Sequence, residues 1–232
     1  MKLLTSILFI LSIFFPLSLL AQMNLVKKSE IMVYDTPPFK ECHASSIVEV
    51  SENKFLIAAF GGSREGKDDV SIWLSHSDGN QWEPPKLIDT GVASDDELYP
   101  CWNAVLFQSQ SGILSLFYKV GPSPREWWGM VKTSDDNGKI WSNGVRLPQD
   151  ILGPIKNKPI QLSDGTILSP SSTETRTAEG LSWKAHIEKS TDDGKSWIKI
   201  SIDHQTPFDV IQPSILVLEA VSYTHLTLPT NR

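Results

Sequence analysis

The stretch Ser190–Trp197, STDDGKSW, packs two acidic residues, a glycine and a lysine into one turn's length and then ends on tryptophan. It is too polar to fill a core strand, and a bare surface loop has no use for the indole. The pattern returns as SDDNGKIW over Ser134–Trp141 and, with Ser77 at the aspartate position, as SHSDGNQW over Ser75–Trp82. From Ser75 to Ser134 and from Ser134 to Ser190, the copies stand 59 and 56 residues apart. In each, serine and aspartate can bond the backbone of a turn, glycine can take positive φ, and tryptophan can insert between neighbouring sheets. In the first copy, Ser77 in place of aspartate predicts a more loosely held turn. A calcium loop is excluded, because the alternating carboxylates and closing glutamate of that motif are missing.

Each marker closes a similar unit. SSIVEV, FLIAAF and SIWLSH precede the first; AVLF, ILSLFY and GMVKTS the second; PIQL, TILSPS and WKAHIEKS the third. The runs are short and β-rich, separated by Gly, Asp, Asn and Ser turns, so single sheets must pack on one another to bury their faces. Four-stranded units repeated at this period predict an all-β fold, a β-propeller in which blades pack face to face around a channel. A β-sandwich is the alternative, although its strands need no marker at fixed phase. A six-bladed ring at this period takes roughly 340 residues. The 232 residues hold three blades and, in IQPSIL, the opening strand of a fourth. Residues 219–232 lack the turn that should follow, and the ending resembles translated adapter read-through. The expectation is therefore a truncated reading frame with a non-native tail over 219–232.

Residues 1–21 combine one lysine, an apolar run broken by Pro16, and a small residue before Gln22, the layout of a secretory signal. The expected organisation is a signal over 1–21, a lead-in over 22–40 and a partial propeller over 41–218, in a secreted or periplasmic protein free of the membrane once the signal is cleaved. The formal net charge of −6 argues against a nucleic-acid partner. Cys42 and Cys101 are either two thiols or one bridge. No Cys/His cluster has metal spacing, and no metal or cofactor is expected.

The three copies of Ser-x-Asp-x-Gly-x-x-Trp resemble the Asp-box (BNR) repeats of the sialidase superfamily. AAFGGSREGKDDVSIWLS, LFYKVGPSPREWWGMVKTSDDNGKIWS and GPIKNKPIQLSDGTILSPSSTE are similar to exported bacterial sialidase-like proteins. The resemblance covers about Cys42 to Leu216 and implies a glycoside hydrolase of the exo-α-sialidase type, removing terminal, acidic sugars from glycans. A carbohydrate-binding propeller, or a lyase acting on uronate-containing glycans, is the alternative.

In such a blade, the loop entering the innermost strand and the loop joining the second and third strands open on one face. The marker turns lie on the other, so their carboxylates are scaffold. The open face should receive His43 and Ser45, Trp102 and Asn103, Lys156, Asn157 and Lys158, and Gln212. It should also receive Arg64, Glu65, Asp68 and Asp69, then Lys119, Arg125, Trp127 and Trp128, then Ser171, Ser172 and Glu174. Tryptophan suits the apolar face of a sugar, amides and hydroxyls its hydroxyl groups, and Arg64, Lys119 or Lys158 an acidic group. Glycoside cleavage needs a proton donor at the leaving oxygen. The resemblance implies that Asp69 or Asp68 fills that role, with Asp69 favoured because it directly precedes a strand; the alternative is a solvated acidic pair. Arg64 could clamp a carboxylate or pair with Glu65 or Asp68. His43 could serve as a base or as a plain polar residue. The first inner strand is entered through Cys42-His43-Ala44-Ser45, where sialidases carry an Arg-Ile-Pro-type motif. This departure leaves a different acidic or deoxy sugar open.

Overall fold

The structure is a computed structural model that describes residues 30–94, 97–202 and 209–217, and the backbone of 224–227. The expected signal lies outside the described residues. Among them there is no helix, and every sheet pairing is antiparallel.

Three four-stranded sheets follow one another along the chain. The first is β1 (Glu41–Ser51), β2 (Lys54–Gly62), β3 (Ser71–Ser77) and β4 (Lys86–Asp89), paired in that order. A small hairpin that the sequence reading did not foresee, β5 (Val92–Ser94) and β6 (Glu97–Leu98), precedes the second sheet. That sheet is β7 (Cys101–Gln108), β8 (Leu114–Val120), β9 (Trp128–Ser134) and β10 (Val145–Arg146). The third is β11 (Ile160–Gln161), β12 (Ile167–Thr177), β13 (Gly180–Ser190) and β14 (Ile198–Ser201). β15 (Ser214–Val217) then pairs with β16 (Thr224–Thr227). Each sheet is a meander in sequence order, which is the blade predicted from the repeat.

Alternation decides how the sheets stack. On β8, Leu114, Leu116 and Tyr118 face the first sheet, where they meet Leu56, Ala58, Phe60, Ile72 and Leu74. The intervening Phe117 faces the third sheet and joins Val105, Phe107, Ile167 and Trp197. A strand buried on both faces reads as a near-continuous apolar run, which is why ILSLFY carries so few polar residues.

The marker turns do what their composition requires. Ser190 Oγ donates to Asp192 Oδ1 at 2.8 Å and accepts the Gly194 amide at 2.9 Å. The Ser196 amide donates to Asp192 Oδ1 at 2.8 Å, and Trp197 Nε1 closes the turn on Gly194 O at 3.0 Å. The Ser196 hydroxyl, which donates to Asp192 Oδ2, the Ser196 amide and Ser190 Oγ stabilise the anion and lower the Asp192 carboxyl to about 2. The copy at Ser134 repeats the pattern through Asp136, Gly138 and Trp141. In the first copy the neighbouring Asp78 takes over, accepting the Asn80 and Gln81 amides at 2.9 and 3.0 Å. This turn is rebuilt around Asp78 instead of being left loose, as Ser77 had suggested. Trp197 lies edge-on to Phe117, with centroids 6.0 Å apart, and Trp141 packs against the cluster shared by the first two blades, so these two tryptophans pin their blades to the preceding ones.

Cys42 is exposed and Cys101 buried, and both are free thiols.

Candidate functional site

Two inner strands open on a strained residue. The pairing of β1 with β2 shifts register between His43 and Ser46, and Ala44 sits there with φ 49°. β7 repeats the device between Trp102 and Val105, with Asn103 at φ 44°. Gln212, just before β15, has φ 54°. A left-handed bulge re-aims the side chains at the mouth of the strand, and non-glycine residues held there carry strain of the sort found at binding sites. Asn103 is half-buried, and the Gln212 amide donates to Ser172 Oγ at 3.2 Å.

His43 faces Phe60 across the β1–β2 pair, next to where β2 ends at Gly62 and the following loop begins. Its ring stacks on Phe60 at 5.6 Å, its side chain is 46% exposed, and Nε2 lies 3.9 Å from Glu41. The loop after Gly62 holds Arg64, Glu65, Asp68 and Asp69, all exposed. Asp69 fastens it, accepting the Ser63 amide on Oδ2 and Ser63 Oγ on Oδ1, both at 2.9 Å. The side chains of Arg64, Glu65 and Asp68 make no hydrogen bond or ion pair among the described residues. Gly66, at φ 78°, passes so close to Trp102 that a Cβ would lie 3.3 Å from its ring. Trp102 donates Nε1 to Gly121 O at 2.8 Å and touches Phe60 and Trp127 at centroid distances of 6.1 and 5.9 Å. His43, Phe60, Trp102 and Trp127 thus form one aromatic chain beneath the mouth of the first two blades. The sequence signal for it is an aromatic residue at each strand end on this face.

Several expected residues lie elsewhere. Lys119, expected at the mouth, is fully buried between the second and third blades, where its Nζ donates to Pro154 O. Burial lowers its pKa to about 7, with Glu188 acting in the opposite sense. Position 119 falls on the inner side of β8 and not in the loop after it, because that strand runs on to Val120. Ser171 and Ser172 are buried in β12, not in a loop; the hairpin extends to Thr177 and Gly180, and Ser171 Oγ donates to Gly153 O at 2.9 Å. Trp128 stands off the axis, edge-on to Tyr99 at 5.8 Å and covered by the Arg146 guanidinium at 4.7 Å. Lys158 Nζ donates to Ile47 O of the first inner strand, and desolvation lowers its pKa. Asn157 Nδ2 donates to Gln212 O and Pro213 O at 3.0 and 2.9 Å.

Sequence reasoning missed the buried polar cluster behind Lys119. Glu188 is 0% exposed and accepts the Leu152 and Gly153 amides at 2.8 and 2.7 Å, with His186 Nε2 at 3.2 Å from Oε1. The alternation in AHIE places His186 and Glu188 on one face, and that was the available signal. No group of metal-ligating side chains occurs among the described residues.

Blades built on Asp-box turns, with polar loops gathered at one mouth, define a sialidase-type propeller. The BNR repeat-like domain family matches residues 53–227, and the chain belongs to that family. No curated protein matches the sequence. Among solved structures, it is similar to a Dyadobacter fermentans DSM 18053 protein of unknown function, at 15% identity and a TM-score of 0.63, over 80% of this chain and 61% of that one. It is also similar to the Hadza microbial sialidase Hz136, at 14% identity and a TM-score of 0.59, over 75% and 39% of the two chains. The NanB sialidase of Streptococcus pneumoniae follows at 11% identity and 0.55, over 80% and 48%. The chain therefore spans 61% of the first of these proteins and less than half of the two sialidases.

Proposed function

We propose that the chain supplies the acid-bearing side of an exported sialidase-like glycoside hydrolase that removes terminal, acidic sugars from glycans. The observation that supports this most is the loop after β2, where Ser63 and Asp69 fasten a turn that leaves Asp68 and Arg64 free at the mouth beside His43. Both Asp69 oxygens are engaged by Ser63, so Asp69 orders the loop. Asp68, whose side chain has no partner among the described residues, is the group able to give a proton to the leaving glycosidic oxygen as the bond to the anomeric carbon breaks and water adds there. This inverts the order expected from the position of Asp69 beside β3. Arg64 pairs with the sugar's carboxylate. Export by the segment over 1–21 belongs to the same proposal, and N-terminal sequencing of the secreted protein should then begin at Gln22.

The test is turnover of an aryl sialoside and of uronate-terminated aryl glycosides by protein expressed from its complete reading frame. Asp68→Asn should lower kcat by about 10²–10⁴, the usual contribution of a general acid. Unchanged turnover in Asp68→Asn would refute the assignment. Formation of an ultraviolet-absorbing unsaturated uronate would replace hydrolysis with elimination.

A further inference from the structure

An open groove of about 700 Å³ lies between the second and third blades. It is walled by Arg125, Trp127, Arg146, Glu174 and Lys199, with Leu152 among the apolar residues of its lining; none of His43, Arg64, Asp68 or Asp69 lines it. We infer that this groove is a second, non-catalytic site that binds a carboxylate-bearing oligosaccharide.

The charge inside the groove points that way. Glu174 is already neutralised, accepting Arg125 Nη1 at 3.0 Å and Trp183 Nε1 at 2.9 Å. Arg146 has no carboxylate partner among the described residues; its guanidinium is held 4.7 Å over the Trp128 ring. Lys199 has no ion-pair or side-chain hydrogen-bond partner there either. Against these two cations stands one unpaired carboxylate, Asp150, so the groove is net positive on a chain whose formal charge is −6. A cleft lined by net positive charge focuses its field on the opening and raises the local concentration of anions there.

The geometry selects among anions. A guanidinium fixed on an aromatic plane presents its fork in one orientation and matches a planar carboxylate through two parallel hydrogen bonds. Thr173, Thr175 and Gln149 add hydroxyl and amide groups suited to sugar hydroxyls, and the half-buried Trp127 and Pro148 add apolar surface for ring faces. The groove is open to solvent, so it accommodates a chain segment in place of an enclosed monosaccharide.

This inference does not depend on the reading of Asp68, because it concerns binding and not turnover. The probe is tetragalacturonate, titrated into the protein by calorimetry beside its carboxyl-reduced, neutral counterpart. Tetragalacturonate should bind, weaken as salt is raised from low to physiological strength, and lose at least tenfold in affinity in Arg146→Gln. Lys199→Gln should weaken it less, and Lys54→Gln, exposed on the first blade and outside the groove, should leave it unchanged. A near-ultraviolet circular dichroism spectrum matching the parent excludes misfolding of Arg146→Gln. Equal binding of the neutral sugar, equal binding of a hexaglutamate peptide, or parental affinity in Arg146→Gln would each overturn the inference, as would no binding at all.

Discussion

Changing Glu188 to Gln replaces one carboxylate oxygen by an NH₂ group and tests how the loop crossing from the second blade to the third is held. The carboxylate accepts the half-buried Leu152 amide and the buried Gly153 amide on its two oxygens and lies within reach of His186. Glutamine keeps one acceptor and turns an NH₂ toward the other amide. One buried N–H is then unsatisfied, at a cost of about 1–3 kcal/mol, and the surviving bond loses its charge assistance, about 1 kcal/mol more. The sum is about 2–4 kcal/mol. At roughly 2–4 °C per kcal/mol for a domain of this size, Tm should fall by roughly 5–15 °C. The loss should also depend on pH. Lys119 is held at about 7 in the folded protein against 10.5 ordinarily, and Glu188 is what raises it against burial. The unfolded chain therefore binds the extra proton between those two values, and stability rises with pH across that window. Without Glu188 the folded Lys119 pKa falls further below 7, so near pH 6 folding of the variant must expel a proton that the parent keeps; near pH 9 Lys119 is neutral in both folded forms. The deficit of Glu188→Gln should accordingly be larger at pH 6 than at pH 9. Thermal melts followed by circular dichroism at both values decide the matter. A Tm within about 2 °C of the parent at both pH values, or a deficit that grows with pH, would refute the reasoning.

Two other substitutions probe the scaffold. Trp197→Ala empties the contact with Phe117 and the surrounding cluster, and should cost about 3–5 kcal/mol in urea denaturation. Ala44→Gly relieves a left-handed alanine; the relief of about 1–2 kcal/mol is partly offset by glycine's unfolded-state entropy, leaving a gain of about 0.5–1 kcal/mol in the same assay.

The blades were legible because three signals coincide in each: strand runs, a polar turn and a tryptophan at constant spacing. What escaped was whatever depends on the partner of a polar residue and not on its type. TETRTAEGLSW reads as a loop, since a ribbon that projects from the sheet has polar residues on both faces and so no alternation; yet it forms the end of β12 and the start of β13. Lys119 reads as surface, because lysines almost always are, and only the packing of the third blade against β8 buries it. Asp68 and Asp69 are indistinguishable as a pair, and it takes the hydroxyl of Ser63, six residues before Asp69, to separate anchor from free acid. The groove between the second and third blades draws on segments 124–128, 146–152, 173–175 and Lys199, which no local pattern unites.

The two interfaces between blades differ in a way that bears on where function sits. Between the first and second, an apolar cluster from Leu56 to Tyr118 carries most of the contact, and the polar links of Ser46 Oγ to the Leu106 amide at 3.0 Å and of Asp89 to Tyr118 Oη and Lys132 at 2.8 Å tie strand to strand and not a connecting loop. Between the second and third, Glu188, Lys119 and Ser171 together reach Leu152, Gly153 and Pro154, while the Ile155 amide donates to Pro170 O at 3.2 Å. Four consecutive residues of one connection are thus tied from beneath by groups that would be costly to bury unpaired. That connection contributes Ile151 and Leu152 to the groove and then delivers Asn157 and Lys158 to the inner strands. A hydrophobic interface would tolerate small slides of such a segment, whereas hydrogen bonds to a buried carboxylate have one register. The charge inside the protein therefore positions the polar groups on its surface, and this is why a lysine and a glutamate that no substrate can touch belong to any account of the site.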